Sequence, residues 1–236
     1  QTGGTFTPGT GTVRFDGTAA GNTINTGGTS FYQLTVNGSG GAWTLATSNA
    51  TTTATTTVTA GTLTVPATLT LSTASTTING GTLTATSGTL DINGNLTLSS
   101  GTLTAPSGTM TLSGNFTNSG GTFTHSSGTF TLDGADQTLS GATIFGNLTK
   151  TVTSARILTF DNASTHTIAG TLTLQGAATT LLSLHSDVDG TQWEIDPQGT
   201  RDISYIDVKD SNNTNATAIN CISEKRCTDS GNNTNW

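Results

Sequence analysis

Apolar residues alternate with threonine, serine and asparagine in short segments, and these segments recur along the chain at a fixed spacing. Ser87, Ser107 and Ser127 each begin a unit of 20 residues, and the units align without a gap over most of their length. Because alternate side chains of a strand point to opposite faces, the matched apolar positions are predicted to form inward ladders. The ladders comprise Leu83, Leu103 and Phe123; Leu90, Met110 and Phe130; and Ile92, Leu112 and Leu132.

Polar turns separate the alternating segments. Asn93-Gly94, Ser113-Gly114 and Asp133-Gly134 recur at equivalent places, and such residues suit tight corners because glycine and asparagine tolerate positive φ angles. A period near 20 residues, with about three short strands per unit, is typical of a solenoid in which each repeat is one coil. The sequence therefore predicts an all-β parallel β-solenoid with coils of about 20 residues.

The composition of the chain changes toward its C-terminus. Asp91 is the only formally charged residue in the range 17–132, whereas the range 185–236 carries thirteen. We therefore predict a neutral β-solenoid stack over residues 1–184. A strand-containing cap or docking segment is predicted to follow over residues 185–236.

Large apolar side chains and both cysteines mark this C-terminal segment. Trp193, Tyr205 and Trp236 are candidate interface residues, which either plug the end of the stack or contact a partner. Cys221 and Cys227 are separated by five residues, a spacing that favours a local disulfide in an oxidising compartment. A metal site would need further ligands, and the nearest histidine is His185, so no metal is predicted.

A Thr-x-Thr motif recurs with the same period and predicts an outward threonine ladder. Its members would stack with spacings of about 6.8 Å along a strand and about 4.8 Å between coils. Such a grid is similar to the flat threonine arrays of ice-binding β-solenoids, although threonine is also a common outward residue in soluble sheets. The candidate ladder comprises Thr62, Thr64, Thr82, Thr84, Thr102, Thr104, Thr122 and Thr124.

The overall charge bears on which partners to expect. The net charge is −7 at pH 7 and only seven lysine and arginine residues occur, which argues against nucleic acid as a partner. No apolar run approaches the roughly 18 residues of a membrane span, so none is predicted. The chain begins within a repeat at Gln1, and we expect the first coil to present an open parallel edge, which favours association.

The residues that could support catalysis are sparse. Asp91 stands alone, and Asp133 aligns with turn residues although Asp136 is close to it in sequence. The histidines at positions 125, 166 and 185 lack the spacing of a nucleophile or zinc site. We therefore expect no enzyme activity and no cofactor.

Calcium is the one ion that the acidic residues suggest. Asp187 and Asp189 offer oxygen ligands, but the EF-hand pattern is missing, so a surface turn is the favoured interpretation. Several N-x-S/T sequons also occur, and in a glycosylating host they would be candidate acceptors of carbohydrate. The sequons singled out are those of Asn95, Asn115, Asn147 and Asn212.

A longer repeat lies over the short one. GGTFTPGTGTVRFDG at residues 3–17 resembles GGTFTHSSGTFTLDG at residues 120–134, and the chain closes on YIDVKDSNNTNATAIN and DSGNNTNW. These sequences resemble those of repeat-rich cell-surface proteins of bacteria and archaea, similar to filamentous haemagglutinin and autotransporter-type adhesins. The resemblance implies a right-handed parallel β-helix at an extracellular or cell-surface location.

Three functions follow as expectations. The first is a structural filament subunit that assembles head to tail with copies of itself through its solenoid edges. The second is an adhesin stalk segment that is continuous with flanking domains of a longer chain and displays or reaches a ligand such as carbohydrate. The third is ice binding through the threonine ladder.

Overall fold

The computed structural model describes residues 6–221 and 226–236. It is an all-β parallel β-solenoid of about 10 turns, with coils of about 21 residues and no helix in the described ranges. The fold class and the short repeat that the sequence predicted are therefore confirmed, whereas the right-handed sense of the coil stays a prediction.

Each coil is built from short strands separated by turns. In chain order the strands are β1 (Thr12–Phe15), β2 (Asn22–Ile24), β3 (Gln33–Leu45), β4 (Ala50–Thr64), β5 (Thr70–Thr84), β6 (Thr89–Ile92), β7 (Leu96–Thr104), β8 (Thr109–Leu112), β9 (Phe116–Asn118), β10 (Thr122–Thr124), β11 (Thr129–Leu132), β12 (Gln137–Ser140), β13 (Thr143–Phe145), β14 (Asn147–Thr151), β15 (Arg156–Phe160), β16 (Thr165–Ile168), β17 (Leu172–Gln175), β18 (Leu182–Ser186), β19 (Trp193–Pro197), β20 (Arg201–Ser204), β21 (Ile206–Val208), β22 (Ser211–Asn213) and β23 (Thr228–Asp229).

The chain divides into two compact units. The N-terminal unit comprises Gln1–Leu112 and Ser119–Gly128, and the C-terminal unit comprises Ser113–Asn118 and Thr129–Trp236. The boundary that the sequence suggested after residue 184 falls inside β18, and the separate C-terminal segment stays a prediction.

Long strands that turn corners organise the N-terminal unit. β3, β4 and β5 pair in parallel, and register shifts in the β3–β4 pairing between Val36 and Ala42 mark where the chain turns from one face of the coil to the next. Gly101, in β7, shows why glycine is required at such a corner. Its φ is +77°, and a Cβ atom there would lie 2.2 Å from the carbonyl oxygen of Gly81.

The core of the N-terminal unit consists of the predicted apolar columns. Leu63, Leu83 and Leu103 are paired in successive coils and are all fully buried. The other members of the predicted ladders within this unit, Leu90, Ile92, Met110 and Leu112, are also buried. Phe123 continues the register of Leu103 but is only partly buried. Phe123 therefore lies on the predicted face of the ladder, with less burial than the leucines before it.

Threonine also fills part of the interior. The Thr52 hydroxyl lies 3.0 Å from the Thr56 hydroxyl and donates to that of Thr73 at 2.7 Å, and all three residues are buried. Thr73 in turn donates to the carbonyl oxygen of Ser75 at 2.6 Å. These hydrogen bonds offset the cost of placing hydroxyl groups among apolar side chains.

Three parallel ladders build the C-terminal unit. They run through β9, β12, β15, β18, β21 and β23; through β11, β14, β17 and β20; and through β13, β16, β19 and β22. Phe116, Phe130 and Phe145 pack together inside it, with ring centroids 5.2–6.0 Å apart. Phe130 and Leu132 are buried, so they too face inward as the ladder pattern predicted.

Candidate functional site

The threonine ladder forms two straight columns on one face of the N-terminal unit (the threonine array). Thr62, Thr82, Thr102 and Thr122 are direct register partners in successive coils, and so are Thr64, Thr84, Thr104 and Thr124. The second column extends through Thr44 to Thr23 in the preceding coils. The columns consist of uncharged hydroxyl and methyl groups at the repeat distances of a parallel sheet.

The side chains of the threonine array are half-buried to exposed, and Thr122 and Thr124 are the most open. A separate single column of outward threonines lies earlier along the same strands β3, β4, β5 and β7; its members are Thr35, Thr57, Thr77 and Thr97. Paired Thr-x-Thr columns therefore distinguish the threonine array from this single column. Such a surface can order water or contact a flat, uncharged ligand.

An apolar opening lies in the first described coil of the N-terminal unit (the apolar mouth: Phe6, Val13, Phe15, Ile24 and Phe31). These side chains line a cavity of about 330 Å³. Phe31 makes edge contacts with Phe6 and Phe15, at centroid distances of 5.9 and 6.5 Å. The mouth exposes the aromatic interior of the coil.

The inward side chains of β1 are less buried than those of β3. Val13 pairs with Leu34, and Phe15 pairs with Val36. Leu34 and Val36 are fully buried, whereas Val13 and Phe15 are only partly buried. The inward column is therefore fully buried at these positions of β3 and only partly buried in β1.

The three candidate interface residues of the C-terminal unit occupy different environments. Trp193 is fully buried, stacks on Phe160 at 3.9 Å and donates its indole N–H to the carbonyl oxygen of Lys209 at 3.1 Å. Its assignment as an interface residue is therefore corrected, because it belongs to the core. Trp236 packs edge-on against Trp193 at 6.1 Å and is partly exposed, as is Tyr205, whose φ is +53°.

The C-terminal end carries the disulfide and a network of amide side chains. Cys221 and Cys227 are bonded, with their Cα atoms 5.6 Å apart, so the predicted disulfide is confirmed. Asn213 is buried and donates through Nδ2 to the carbonyl oxygens of Thr217 and Asn235, at 3.0 Å each. Asparagine side chains thus satisfy backbone carbonyl groups near the C-terminal end of the described chain.

The acidic residues considered for catalysis have structural partners. Asp91 accepts hydrogen bonds from Ser72 at 2.8 Å and Thr111 at 3.0 Å, one on each neighbouring strand. Asp133 accepts from Ser113 at 2.7 Å, and Asp136 accepts from the Ile157 amide at 2.8 Å. These contacts tie successive coils together.

A histidine and a carboxylate meet inside the C-terminal unit. His166 is fully buried, and its Nε2 lies 3.3 Å from Asp161 Oδ1 without hydrogen-bond alignment. Asp161 Oδ2 accepts from the Ser164 hydroxyl at 2.5 Å and from the Gly141 amide at 3.1 Å. Burial acts to raise the pKa of Asp161, but His166, Ser164 and Gly141 together hold it below the ordinary value.

This cluster lacks the order of a catalytic triad. The Ser164 hydroxyl bonds to the carboxylate and not to the imidazole, so no base activates it. His125 accepts a hydrogen bond from the Ser127 amide at 2.9 Å, and His185 lies in β18. The described contacts join none of the three histidines to a serine or cysteine nucleophile, and the non-enzymatic function stays a prediction.

The two aspartates considered for calcium also have protein partners. Asp187 accepts a hydrogen bond from the Asn162 amide at 2.9 Å, and Asp189 forms an ion pair with Lys209. The hydrogen bond to Asp189 raises the pKa of the exposed Lys209. Within residues 6–221 and 226–236 no group of three or more histidine, cysteine or acidic side chains could hold a metal ion.

The sequon asparagines fall into two groups. Asn95 and Asn115 are exposed, although Asn115 accepts a hydrogen bond from the Thr138 amide at 2.8 Å. Asn147 and Asn212 are only partly exposed, and Asn147 accepts from the Thr171 amide at 2.7 Å. Glycosylation at these residues stays a prediction, and their accessibility favours Asn95 and Asn115.

A buried lysine is one of the ionisable groups that the sequence analysis did not single out. Lys150 lies opposite Leu174 at an inward position and is fully buried. Its Nζ donates to the carbonyl oxygens of Gly134 and Ala135 at 3.0 Å each, and to Gln137 Oε1 at 2.6 Å. Burial lowers the pKa of Lys150 to about 8.

Comparisons with family models, curated proteins and solved structures find no match for this chain. In the described ranges no helix has the length and hydrophobicity needed to span a membrane.

Proposed function

We propose that this protein is a structural component of an extracellular or cell-surface fibre, in which copies of the chain assemble end to end through their solenoid coils. The apolar mouth is the observation that carries the proposal. A partly buried apolar column next to parallel strands presents both apolar surface and a direction for strand pairing, and such edges favour association.

The chemistry of the mouth favours another solenoid coil as its occupant. The inward column in β1 repeats at the spacing of a parallel sheet, so an incoming strand can continue it while its side chains fill the cavity. The C-terminal unit also ends in strands that pair in parallel, with β23 on β21 and Thr234 bridged to Asn212. A head-to-tail contact between copies would be heterologous, and repetition of such a contact generates a filament.

Substitution of the mouth residues tests this proposal. Val13→Glu and Phe15→Glu place a charge where the next coil would pack, and we expect both to abolish filaments seen by negative-stain electron microscopy. Ile144→Glu is the matched control, because Ile144 is 54% exposed in the C-terminal unit and its replacement should leave filaments intact. Thermal unfolding by circular dichroism establishes that each variant keeps its fold. Filaments that persist in both mouth variants would contradict the assembly.

The adhesin stalk is the alternative use of the same mouth. In that case the coil that covers the mouth belongs to the same, longer polypeptide, and the purified chain stays as single particles at every concentration. Concentration-dependent growth of fibres separates the filament from the stalk.

Ice binding is a second candidate function, and the register of the threonine array favours it. The paired columns repeat hydroxyl and methyl groups at regular spacings over consecutive coils without a charged residue in the columns. A rigid grid of this kind can hold an ordered layer of water, because the sheet fixes the backbone that carries it.

A lysine placed within the array tests the ice-binding candidate. We expect Thr84→Lys to abolish inhibition of ice recrystallisation, because a long charged side chain interrupts the grid. Thr97→Lys is the matched control, since Thr97 is similarly buried but lies in the single threonine column. Equal activity of the two variants, or an inactive unmodified protein, would reject ice binding.

A further inference from the structure

Asn93 and Gly94 form a polar corner between β6 and β7 of the N-terminal unit (the Asn93 corner). Both residues lie outside the strands, and the Asn93 side chain is exposed. The corner requires glycine at Gly94, because a Cβ atom there would lie 2.2 Å from the carbonyl oxygen of Ala74 on β5. The packing of the coils therefore places an exposed asparagine directly before a residue that has no side chain.

An asparagine followed by glycine can react with its own backbone. The Gly94 amide nitrogen loses its proton and attacks Asn93 Cγ, and the new N–Cγ bond closes a cyclic imide. The Cγ–Nδ2 bond breaks, and Nδ2 leaves as ammonia with the proton that Gly94 gave up. Water then opens the imide at either carbonyl group, which leaves aspartate or isoaspartate at position 93. Glycine favours the attack because no side chain hinders its nitrogen.

The hydrogen bonds at the Asn93 corner leave both reacting groups available. Among the described residues the Gly94 amide donates no hydrogen bond, so its nitrogen is not held by a neighbouring coil. The Asn93 carboxamide donates to Ser72 Oγ at 3.3 Å and to Asp91 Oδ2 at 3.4 Å, and hydrogen bonds of this length are weak. The carboxamide can therefore turn toward Gly94 without breaking a bond between strands.

Two other Asn-Gly pairs occur in the chain, and strands hold both of them. Asn37-Gly38 lies within β3, where Asn37 is the register partner of Ala60. Asn79-Gly80 lies within β5, where Asn79 is the register partner of Ser100. An extended backbone that is paired with a neighbouring strand must open locally before the side chain can fold back onto the next nitrogen. The Asn93 corner needs no such opening.

We propose that Asn93-Gly94 is a site of spontaneous deamidation, at which the folded protein loses ammonia and gains a carboxylate beside Asp91. Before the reaction the Asn93 carboxamide donates to Asp91, whereas after it two carboxylates face each other and repel. Asp91 links β5 to β8 by accepting hydrogen bonds from Ser72 and Thr111, so the reaction weakens a contact between coils. It also adds a second charge to the range 17–132, where Asp91 is otherwise the only charged residue.

Peptide mapping of the folded chain tests the proposal. The full chain is incubated for several days at pH 7 and at pH 8, digested with thermolysin, and compared by tandem mass spectrometry with a sample taken at the start. We expect Asn93 to deamidate at least about tenfold faster than Asn37 and Asn79, since only the latter two need local opening of a strand. The rate at Asn93 should rise with pH, because the attack requires loss of the Gly94 amide proton. In urea, where no strand remains, the three rates should be similar.

Two matched substitutions complete the test. The longer carboxamide of glutamine cyclises far more slowly, so we expect Asn93→Gln to remove the fastest phase of the mass gain and Asn79→Gln to leave it unchanged. Circular dichroism establishes that each variant keeps its fold, and if Asn93→Gln does not fold, the peptide map of the unmodified chain decides alone. An unreacted Asn93, or equal rates at the three asparagines of the folded chain, would overturn the proposal.

Discussion

Ionisable side chains inside the solenoid set the pH dependence of single sites. Asp161 is held as a carboxylate by Ser164, Gly141 and the neighbouring His166, and its pKa lies below the ordinary value. A carboxylate with a depressed pKa stabilises the fold above its unfolded pKa, and this contribution is lost as the pH falls through the folded value. Protonation of Asp161 at low pH should therefore lower the free energy of unfolding of the C-terminal unit.

Replacement of Asp161 isolates that contribution. We expect Asp161→Asn to lower the free energy of unfolding at pH 7 by about 1–2 kcal/mol, because neutral partners bond less strongly and solvent screens part of the site. Below pH 4 the difference between the two proteins should narrow. Urea unfolding at pH 7 and at pH 3 measures both values, with Asp202→Asn as the control for an exposed aspartate. An equal difference at the two pH values would contradict this assignment.

At the residue scale, the alternation of apolar and polar residues predicted which apolar side chains are buried. It did not predict which polar side chains are buried. Leu83 and Leu103 were placed correctly because apolar residues at alternate positions must share a face. Thr52 was not placed in the core, because the sequence does not distinguish a buried threonine from an exposed one. The hydrogen-bond partners of its hydroxyl, which only the structure shows, make the difference. Lys150 was missed for a similar reason, since two of its three acceptors are backbone carbonyls that no side-chain pattern reveals.

At the scale of the strand and its corner, glycine decides whether the chain can turn. Gly101 combines a φ of +77° with a neighbouring carbonyl oxygen 2.2 Å from any added Cβ, so both the backbone and the adjacent coil require glycine. Gly108 lies in the same unit, has ordinary backbone geometry and has nothing within 4 Å of an added Cβ.

These two glycines form a matched pair for a stability measurement. We expect Gly101→Ala to destabilise the N-terminal unit by about 1–3 kcal/mol, through left-handed backbone strain and displacement of the adjacent coil. Gly108→Ala should change the unfolding free energy by less than about 0.5 kcal/mol. Denaturant unfolding of both variants provides the comparison, and equal effects would show that the corner tolerates a side chain.

The sequence predicted the repeated strands, and the division of the chain that it suggested stays a prediction. Sequence repeats identify the coils because each coil must pack on its neighbours in the same way. The sequence suggested a separate C-terminal segment after residue 184, where charged residues become frequent. In the structure, Ser113–Asn118 belongs to the C-terminal unit and Ser119–Gly128 to the N-terminal unit. Charge distribution describes the surface, and compactness depends on which apolar groups pack together.

At the scale of the whole molecule, regular coils leave few features that resemble an active site. Most polar groups bond to the next coil, as Asp91 does through Ser72 and Thr111. Among residues 6–221 and 226–236, the threonine array and the apolar mouth are the two surfaces considered for function, and of these two the mouth is the apolar one. This asymmetry is why assembly through coil edges is the function that the surfaces support best.

Negative-stain electron microscopy of the purified chain at neutral pH, over a series of concentrations, tests the assembly most directly. The proposal predicts fibres that lengthen with concentration and disappear in Phe15→Glu but not in Ile144→Glu. Dispersed single particles at every concentration would contradict end-to-end assembly of this chain and favour the stalk.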